Sequence, residues 1–263
     1  MAEIDDEPTP MQDILDLSDN SWKDLPAIKV IFASEPWIVA CRHQGPLTRA
    51  QFFEDRGENI EAVRGTIRGG RSVDEVAEEA YDRLRRLQLS DHLEATADWA
   101  VRLAKANGWE GALADLATAG LLHNIGIINL TETDGYNQAR RESLQIANRF
   151  LPECRGLIFL LTFWRAPEEL FKQFNIPLGA AEREQGAALI ALRQKLNTSG
   201  APKSPFEALI YLSYAHKLAE GQGIYGAESL QPQVWFERLC RNANLIPETT
   251  PDAYDTALKL QRL

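Results

Sequence analysis

Apolar residues recur at helical spacing along most of this chain, and this pattern limits the fold more than any other feature. From Ser72 to Leu87, apolar residues at 73, 76, 80, 84 and 87 share one helical face. Ser72-Val73-Asp74-Glu75 is a capping box, and Ser204-Pro205-Phe206-Glu207 repeats the device with proline in the first turn. Further helices are predicted at about 91–107, 111–124, 136–150, 153–163, 179–196 and 231–243. We therefore predict an all-α protein.

The first seventy residues are less regular. The apolar runs at 28–32 and 37–40 fit either short strands or buried helical turns, because periodicity does not separate the two at this length. Residues 1–20 are acidic and are expected to fray. We divide the chain into a partly irregular N-terminal accessory region, 1–70, and a helical domain, 71–263.

Composition excludes several classes of partner. A chain of 263 residues with 44% hydrophobic and 25% charged residues is typical of a soluble globular protein. The net charge of −10 argues against a nucleic-acid partner, which would require a basic surface. The N-terminus lacks the pattern of a signal peptide, and the longest apolar run, 156–164, is too short to span a bilayer. We expect a cytoplasmic protein that binds neither nucleic acid nor membrane.

The placement of the four histidines is the main sign of chemistry in the chain. His92, His123 and His216 each fall on the inward apolar face of a different predicted helix, whereas His43, just before Gly45-Pro46, is expected in a loop. A single inward histidine is more often a hydrogen-bonded core residue than a ligand. Three such residues could instead converge on a metal ion, since neutral imidazole binds Zn, Fe, Mn or Ni. Gly120, one turn before His123, would let another helix approach closely. Spacing alone leaves their convergence open.

Other catalytic patterns are absent from the sequence. No Walker or Rossmann glycine loop and no GxSxG nucleophile elbow occurs. The aromatic residues Phe159, Phe163, Trp164, Phe171 and Phe174 recur at helical spacing and are assigned to the core. If part of that cluster is exposed, it would suit partner docking.

The stretch Ala119-Gly120-Leu121-Leu122-His123-Asn124-Ile125-Gly126 resembles the core motif of the HD superfamily, which includes metal-dependent phosphohydrolases. It is most similar to the "AGLLHDIG" pattern of the HDOD branch. His92 fits the histidine about thirty residues upstream, 163–169 resembles the family's W-x-x-P segment, and 214–219 resembles its later A-D-x-L-A helix. The resemblance covers roughly residues 72–220 and implies an HD-like helical bundle.

The resemblance also implies a ligand set. Carried over by position, that set is His92, His123, Asn124 and His216. Catalytic members have aspartate where this chain has Asn124 and His216, and the family's additional histidine pair has no counterpart here. Such carboxylates neutralise the metal ion and orient the attacking water, which a neutral amide cannot do.

These departures favour loss of catalysis. The matched positions supply no negative charge unless Asp98, Asp115 or Glu142 reaches the site. A two-metal hydrolase centre is therefore not expected. A hydrogen-bonded core remnant is favoured over a single metal ion on the three histidines, although three imidazoles with an open position also describe catalytic zinc.

The combined expectation is a bacterial, non-catalytic HDOD-like signalling or regulatory protein with an HD-like helical bundle and a short N-terminal accessory region. It would bind other signalling proteins, and it could form a homo-oligomer. No catalytic residue and no cofactor are expected; the alternative to a metal-free site is one divalent ion, Fe, Mn or Zn. The competing function is a metal-dependent phosphohydrolase that acts on a nucleotide or phosphate ester.

Overall fold

All regular structure in the described part of the chain is helical. The computed structural model describes residues 20–54, 73–106, 109, 111–152, 154–165 and 205–224. Within these ranges the only β pairing is one isolated antiparallel bridge between Gln44 and Gln88. The all-α prediction is confirmed there. The predicted helices at 179–196 and 231–243, the N-terminal nineteen residues and the two predicted cap residues Ser72 and Ser204 lie outside the described residues.

Eight helices carry the described fold, with two short 3₁₀ turns at Asn20–Asp24 and Ile125–Asn129 and a helical segment at 49–54. In chain order the helices are α1 (Pro26–Phe32), α2 (Glu35–Ala40), α3 (Val73–Leu84), α4 (Leu89–Ala106), α5 (Leu113–Leu122), α6 (Tyr136–Phe150), α7 (Arg155–Phe163) and α8 (Pro205–Ile224). None of the described helices combines the length and apolarity that crossing a membrane requires.

Most predicted helices agree with these bounds to within two residues. Helix α6 matches its predicted range, and α4 begins two residues earlier than predicted. Helix α5 begins and ends two residues inside its predicted range, at Leu113 and Leu122, and the chain continues as a 3₁₀ turn from Ile125. Gly126 lies in this turn and packs closely on α6, since a Cβ at that position would lie 2.5 Å from the Ala139 carbonyl oxygen. Glycine is therefore required where this turn meets α6.

The two ambiguous apolar runs are helical. Proline occupies the first turn of both α1 and α2, where its missing N–H costs no hydrogen bond. Ser34 caps α2 by accepting a hydrogen bond from the backbone N–H of Trp37 at 3.4 Å. These start signals, rather than the apolar runs themselves, distinguish helix from strand at this point in the chain.

Residues 20–40 pack into the same core as the later helices. Ile28, Ile31 and Trp37 are buried there. Lys23 forms an ion pair with Glu94 of α4 at 2.6 Å, on the rim of this contact. The predicted domain boundary near residue 70 falls in the undescribed stretch 55–72 and stays a prediction.

Helix α8 lies at the centre of the described helices. Every residue from Ala208 to His216 is buried, so this stretch has no solvent-facing side. It packs most extensively against α4 and also contacts α3, α5 and α7. A helix that is apolar on all sides is expected in such a position. This central placement brings His216 towards residues of α4 and α5.

Candidate metal centre

The three inward histidines come from three different parts of the fold and lie close together. His92 lies in the first turns of α4, His123 follows the last residue of α5, and His216 lies in α8. Their side chains are 4%, 1% and 1% exposed. The interpretation of all three as inward-facing is thus confirmed. His43 lies in the loop after α2, as expected.

The imidazole nitrogens converge. His123 Nε2 lies 3.3 Å from His92 Nε2 and 3.0 Å from His216 Nδ1. Each of the three rings contributes one ligand nitrogen, and these three nitrogens all lie within 4.8 Å of one another. The rings meet edge to face or tilted, with centroids 5.0–5.3 Å apart. The three buried histidines could therefore hold one metal ion.

A backbone hydrogen bond sets the proton position on His123. Its Nδ1 lies 2.7 Å from the carbonyl oxygen of Gly120. Because a carbonyl oxygen only accepts, Nδ1 carries the hydrogen and Nε2 of the neutral ring presents its lone pair to the other histidines. This carbonyl belongs to the last turn of α5, where carbonyls lack helical partners. Metal-bound histidines are commonly oriented in this way.

Gly120 also controls the approach of α4. A Cβ on Gly120 would lie 2.5 Å from the Cα and 2.8 Å from the backbone nitrogen of Ala97. No real side chain tolerates those distances, so glycine is required for the observed contact. The sequence-based interpretation of Gly120 as a site of close helix approach is confirmed. The contact holds α4 against α5 beside the histidine cluster.

Ser143 of α6 anchors the turn that follows His123. Its hydroxyl donates to the carbonyl oxygen of His123 at 3.2 Å and accepts from the N–H of Gly126 at 3.0 Å. All three residues are buried. The backbone that carries His123 is therefore fixed from a second helix.

Trp164 forms a wall of the cluster that the sequence did not reveal. Its ring centroid lies 5.0 Å from that of His123 and 4.7 Å from that of His216, and the residue is buried. The sequence assigned Trp164 to the aromatic core, and burial confirms that part. Its contact with two histidines has no local signal, because it depends on how α7 ends against α5 and α8.

The fourth predicted ligand, Asn124, is not joined to the cluster by any hydrogen bond. It is 1% exposed, and neither its side-chain oxygen nor its nitrogen has a hydrogen-bond partner among the described residues. Buried amides normally have such partners, so this amide could accept a bound water or ligand. The structure thus brings together His92, His123 and His216. Asn124 follows His123 in the chain, and both polar atoms of its side chain lack a hydrogen-bond partner among the described residues.

No carboxylate of the described residues joins the three histidines. Asp98 instead pairs with Arg102 at 2.7 Å, and Glu142 accepts hydrogen bonds from Asn129 and Gln138. Asp115 is partly buried outside the cluster, and burial raises the pKa of its carboxyl group. None of the three candidate acids therefore joins the group of ligand atoms. The site offers neutral nitrogen ligands.

Comparison of the chain with protein-family models, with curated proteins and with solved structures gives no match.

Proposed function

We propose that this chain is a non-catalytic regulatory protein of the bacterial cytoplasm, with an HD-like helical bundle, which acts by binding other signalling proteins. One observation carries the proposal. The cluster at the position of the resembling hydrolase site contains three imidazoles and no carboxylate of the described residues. The motif that suggests the fold is retained here without the acids that would perform hydrolysis.

The chemistry of hydrolysis explains why the missing carboxylates matter. A metal-dependent phosphohydrolase needs a strong nucleophile and compensation for the charge that develops during the reaction. Asn124 occupies an acidic position of the motif, and its amide is neither a base nor a negative charge. His216 occupies the other acidic position as a neutral ligand. Neither residue can take over both roles.

Access to the cluster also supports a non-catalytic role. All three histidines are at most 4% exposed, and Trp164 packs against two of their rings. A phosphate ester could reach the nitrogen atoms only if part of the core moved. The glycines of the motif, in contrast, have a clear structural role in packing α5 and its following turn against α4 and α6.

Exposed apolar side chains support binding to a protein partner. Val30, Ile38 and Val39 are 47%, 46% and 41% exposed on the neighbouring helices α1 and α2. Ile38 and Val39 are adjacent in sequence. We assign the adjacent pair Ile38 and Val39 to the partner surface, since neighbouring exposed apolar side chains suit a protein interface.

The hydrolysis test uses the purified full chain with nucleotides and a generic phosphodiester, each with added Mn²⁺, Fe²⁺ or Zn²⁺. We expect no turnover above that of the metal ions alone. Turnover that His123→Ala abolishes and the loop variant His43→Ala retains would refute the non-catalytic function.

The partner test compares proteins captured from the native host by the wild-type chain and by the double variant Ile38→Glu with Val39→Glu. Arg42→Glu is the matched control, because it changes the net charge equally at an exposed position just after α2. We expect a reproducible partner that the double variant loses and the control retains. If both variants capture the same proteins, this surface is not the interface.

A phosphohydrolase remains the second candidate because three imidazoles with an open position also describe catalytic zinc. The convergence of three nitrogens within 4.8 Å is the observation that favours it. It predicts turnover that requires His92, His123 and His216 together. The hydrolysis test above therefore separates the two functions.

A further inference from the structure

We infer that His92, His123 and His216 form a structural centre for one late first-row transition-metal ion, of which zinc is the type, held by nitrogen ligands alone. This centre differs in ligand chemistry and in role from the histidine-and-aspartate site of the catalytic members of the resembling superfamily. It does not depend on the proposed function, since a structural ion is compatible with either the presence or the absence of hydrolysis.

The spacing of the nitrogens fits such an ion. Zinc–nitrogen bonds of about 2.0–2.1 Å in a tetrahedral site place neighbouring ligand nitrogens about 3.3 Å apart. His123 Nε2 lies 3.3 Å from His92 Nε2 and 3.0 Å from His216 Nδ1. These two of the three nitrogen–nitrogen distances match that spacing, and the three ligand atoms all lie within 4.8 Å of one another.

The position of the hydrogen on the His123 ring also favours a metal ion over hydrogen bonds alone. Nδ1 of His123 donates to the Gly120 carbonyl, so Nε2 has one lone pair and no hydrogen in the neutral ring. That lone pair can accept one good hydrogen bond, yet nitrogens of two histidines lie within 3.3 Å of it. An ion among the rings can accept a lone pair from each of the three imidazoles at once.

The absence of carboxylates from the described cluster selects the class of ion. Mg²⁺ and Ca²⁺ prefer oxygen ligands, and Mn²⁺ binds nitrogen weakest among the first-row divalent ions. In a buried site without negative charge, an ion recovers its lost hydration only through strong bonds to nitrogen. Cobalt, nickel, copper and zinc form such bonds.

The position of the ligands makes the centre structural. The three histidines come from α4, from the end of α5 and from α8, and 93 residues separate His123 from His216. Trp164 packs against two of the rings. An ion held there links three helices in the folded state only, so its binding energy adds to the free energy of unfolding.

The test adds Zn²⁺, Co²⁺, Mg²⁺ or Mn²⁺ to the metal-stripped, untagged full chain and follows thermal unfolding. With free Zn²⁺ at about 100 times its Kd, we expect Tm to rise by about 5–10 °C. Mg²⁺ and Mn²⁺ should leave Tm unchanged. Bound Co²⁺ should show the visible absorption of a tetrahedral ion, and metal analysis should give one ion per chain.

Variants locate the ion. His92→Ala should lose the Zn²⁺-dependent shift and the Co²⁺ spectrum, while His43→Ala, which changes the remaining histidine of the chain, should retain both. If His92→Ala does not fold, the comparison of ions on the wild-type chain decides the inference alone. An equal response to Mn²⁺ and Zn²⁺, or no response to Zn²⁺ and Co²⁺, would overturn it. Hydrolysis by the Zn²⁺ form would contradict the proposed function and leave the centre intact.

Discussion

His123 Nε2 lies 3.0 Å from His216 Nδ1, although 93 residues separate these two histidines in the chain. The contact joins the end of α5 to the middle of the buried helix α8. Both residues are 1% exposed, so the polar atoms must find partners within the protein. The geometry of this buried contact depends on how closely α4, α5 and α6 pack around it.

Gly120→Ala tests the packing of α4 against α5. The new methyl group would lie 2.5 Å from the Ala97 Cα, a backbone atom that cannot turn aside. We expect the helices to separate and the free energy of unfolding to fall by about 2–3 kcal/mol, as in other overpacked cores. Chemical denaturation of both proteins measures this difference.

Gly135→Ala is the matched control for that change. The three atoms nearest to a Cβ at Gly135 all belong to the carboxylate end of Glu54, which can move, and φ of −88° suits alanine. We expect a change below about 0.5 kcal/mol. If both alanine variants lose the same stability, the close contact at Gly120 is not the cause.

Ser143→Ala tests the anchor of the turn after His123. The change leaves a buried N–H at Gly126 without its acceptor and removes a donor to the His123 carbonyl. We expect a loss of about 1–3 kcal/mol, the usual cost of an unsatisfied buried group. Thr162→Ala is the control, because its hydroxyl only bonds back to the Ile158 carbonyl within α7. A loss of stability confined to Thr162→Ala would contradict the proposed anchor.

Much of the helical architecture could be predicted because it depends on local pattern. Helix α6 has a regular apolar stripe, and its predicted range of 136–150 is the observed one. The run at 28–32 was ambiguous because so few residues do not distinguish a period of two from one of 3.6. Pro26 in the first turn supplies the missing signal for a helix. The close contact between Gly126 and α6 could not be predicted, since it depends on tertiary packing.

The candidate site was predictable only as separate residues. Helical spacing placed His92, His123 and His216 on inward faces, and the structure confirms each placement. Their convergence depends on the packing of α8 against α4 and α5, which no local pattern encodes. For the same reason Trp164 was predicted as core but not as a neighbour of the histidines.

Tyr81→Phe tests a pH dependence away from the histidines. Burial, with the nearby Glu132 carboxylate, raises the pKa of Tyr81 to about 12, while an unfolded tyrosine titrates near about 10. The folded state therefore favours the neutral phenol. The resulting stability is complete below about pH 10 and is lost as pH rises through about 12.

We expect the wild-type chain to lose more stability than Tyr81→Phe between about pH 9 and 12, from this linkage alone. Denaturation of both proteins across that range measures the difference, and phenolate absorbance of the wild type minus that of the variant gives the pKa. A difference spectrum that titrates near about pH 10 would contradict the effect of burial.

Asn124→Asp tests whether residue 124 faces the histidine cluster. The change would place a carboxylate in a buried position whose amide atoms have no partner among the described residues. Without metal, we expect a loss of about 3 kcal/mol, because a buried charge lacks compensation. With Zn²⁺ on the histidines, the new charge would be neutralised and most of that stability would return. Unfolding with and without Zn²⁺ measures both effects.

Asn137→Asp, at an exposed position near the start of α6, is the control and should change the free energy of unfolding little in either condition. If Zn²⁺ restores nothing to Asn124→Asp while it stabilises the wild type, the side chain of residue 124 does not reach the metal centre.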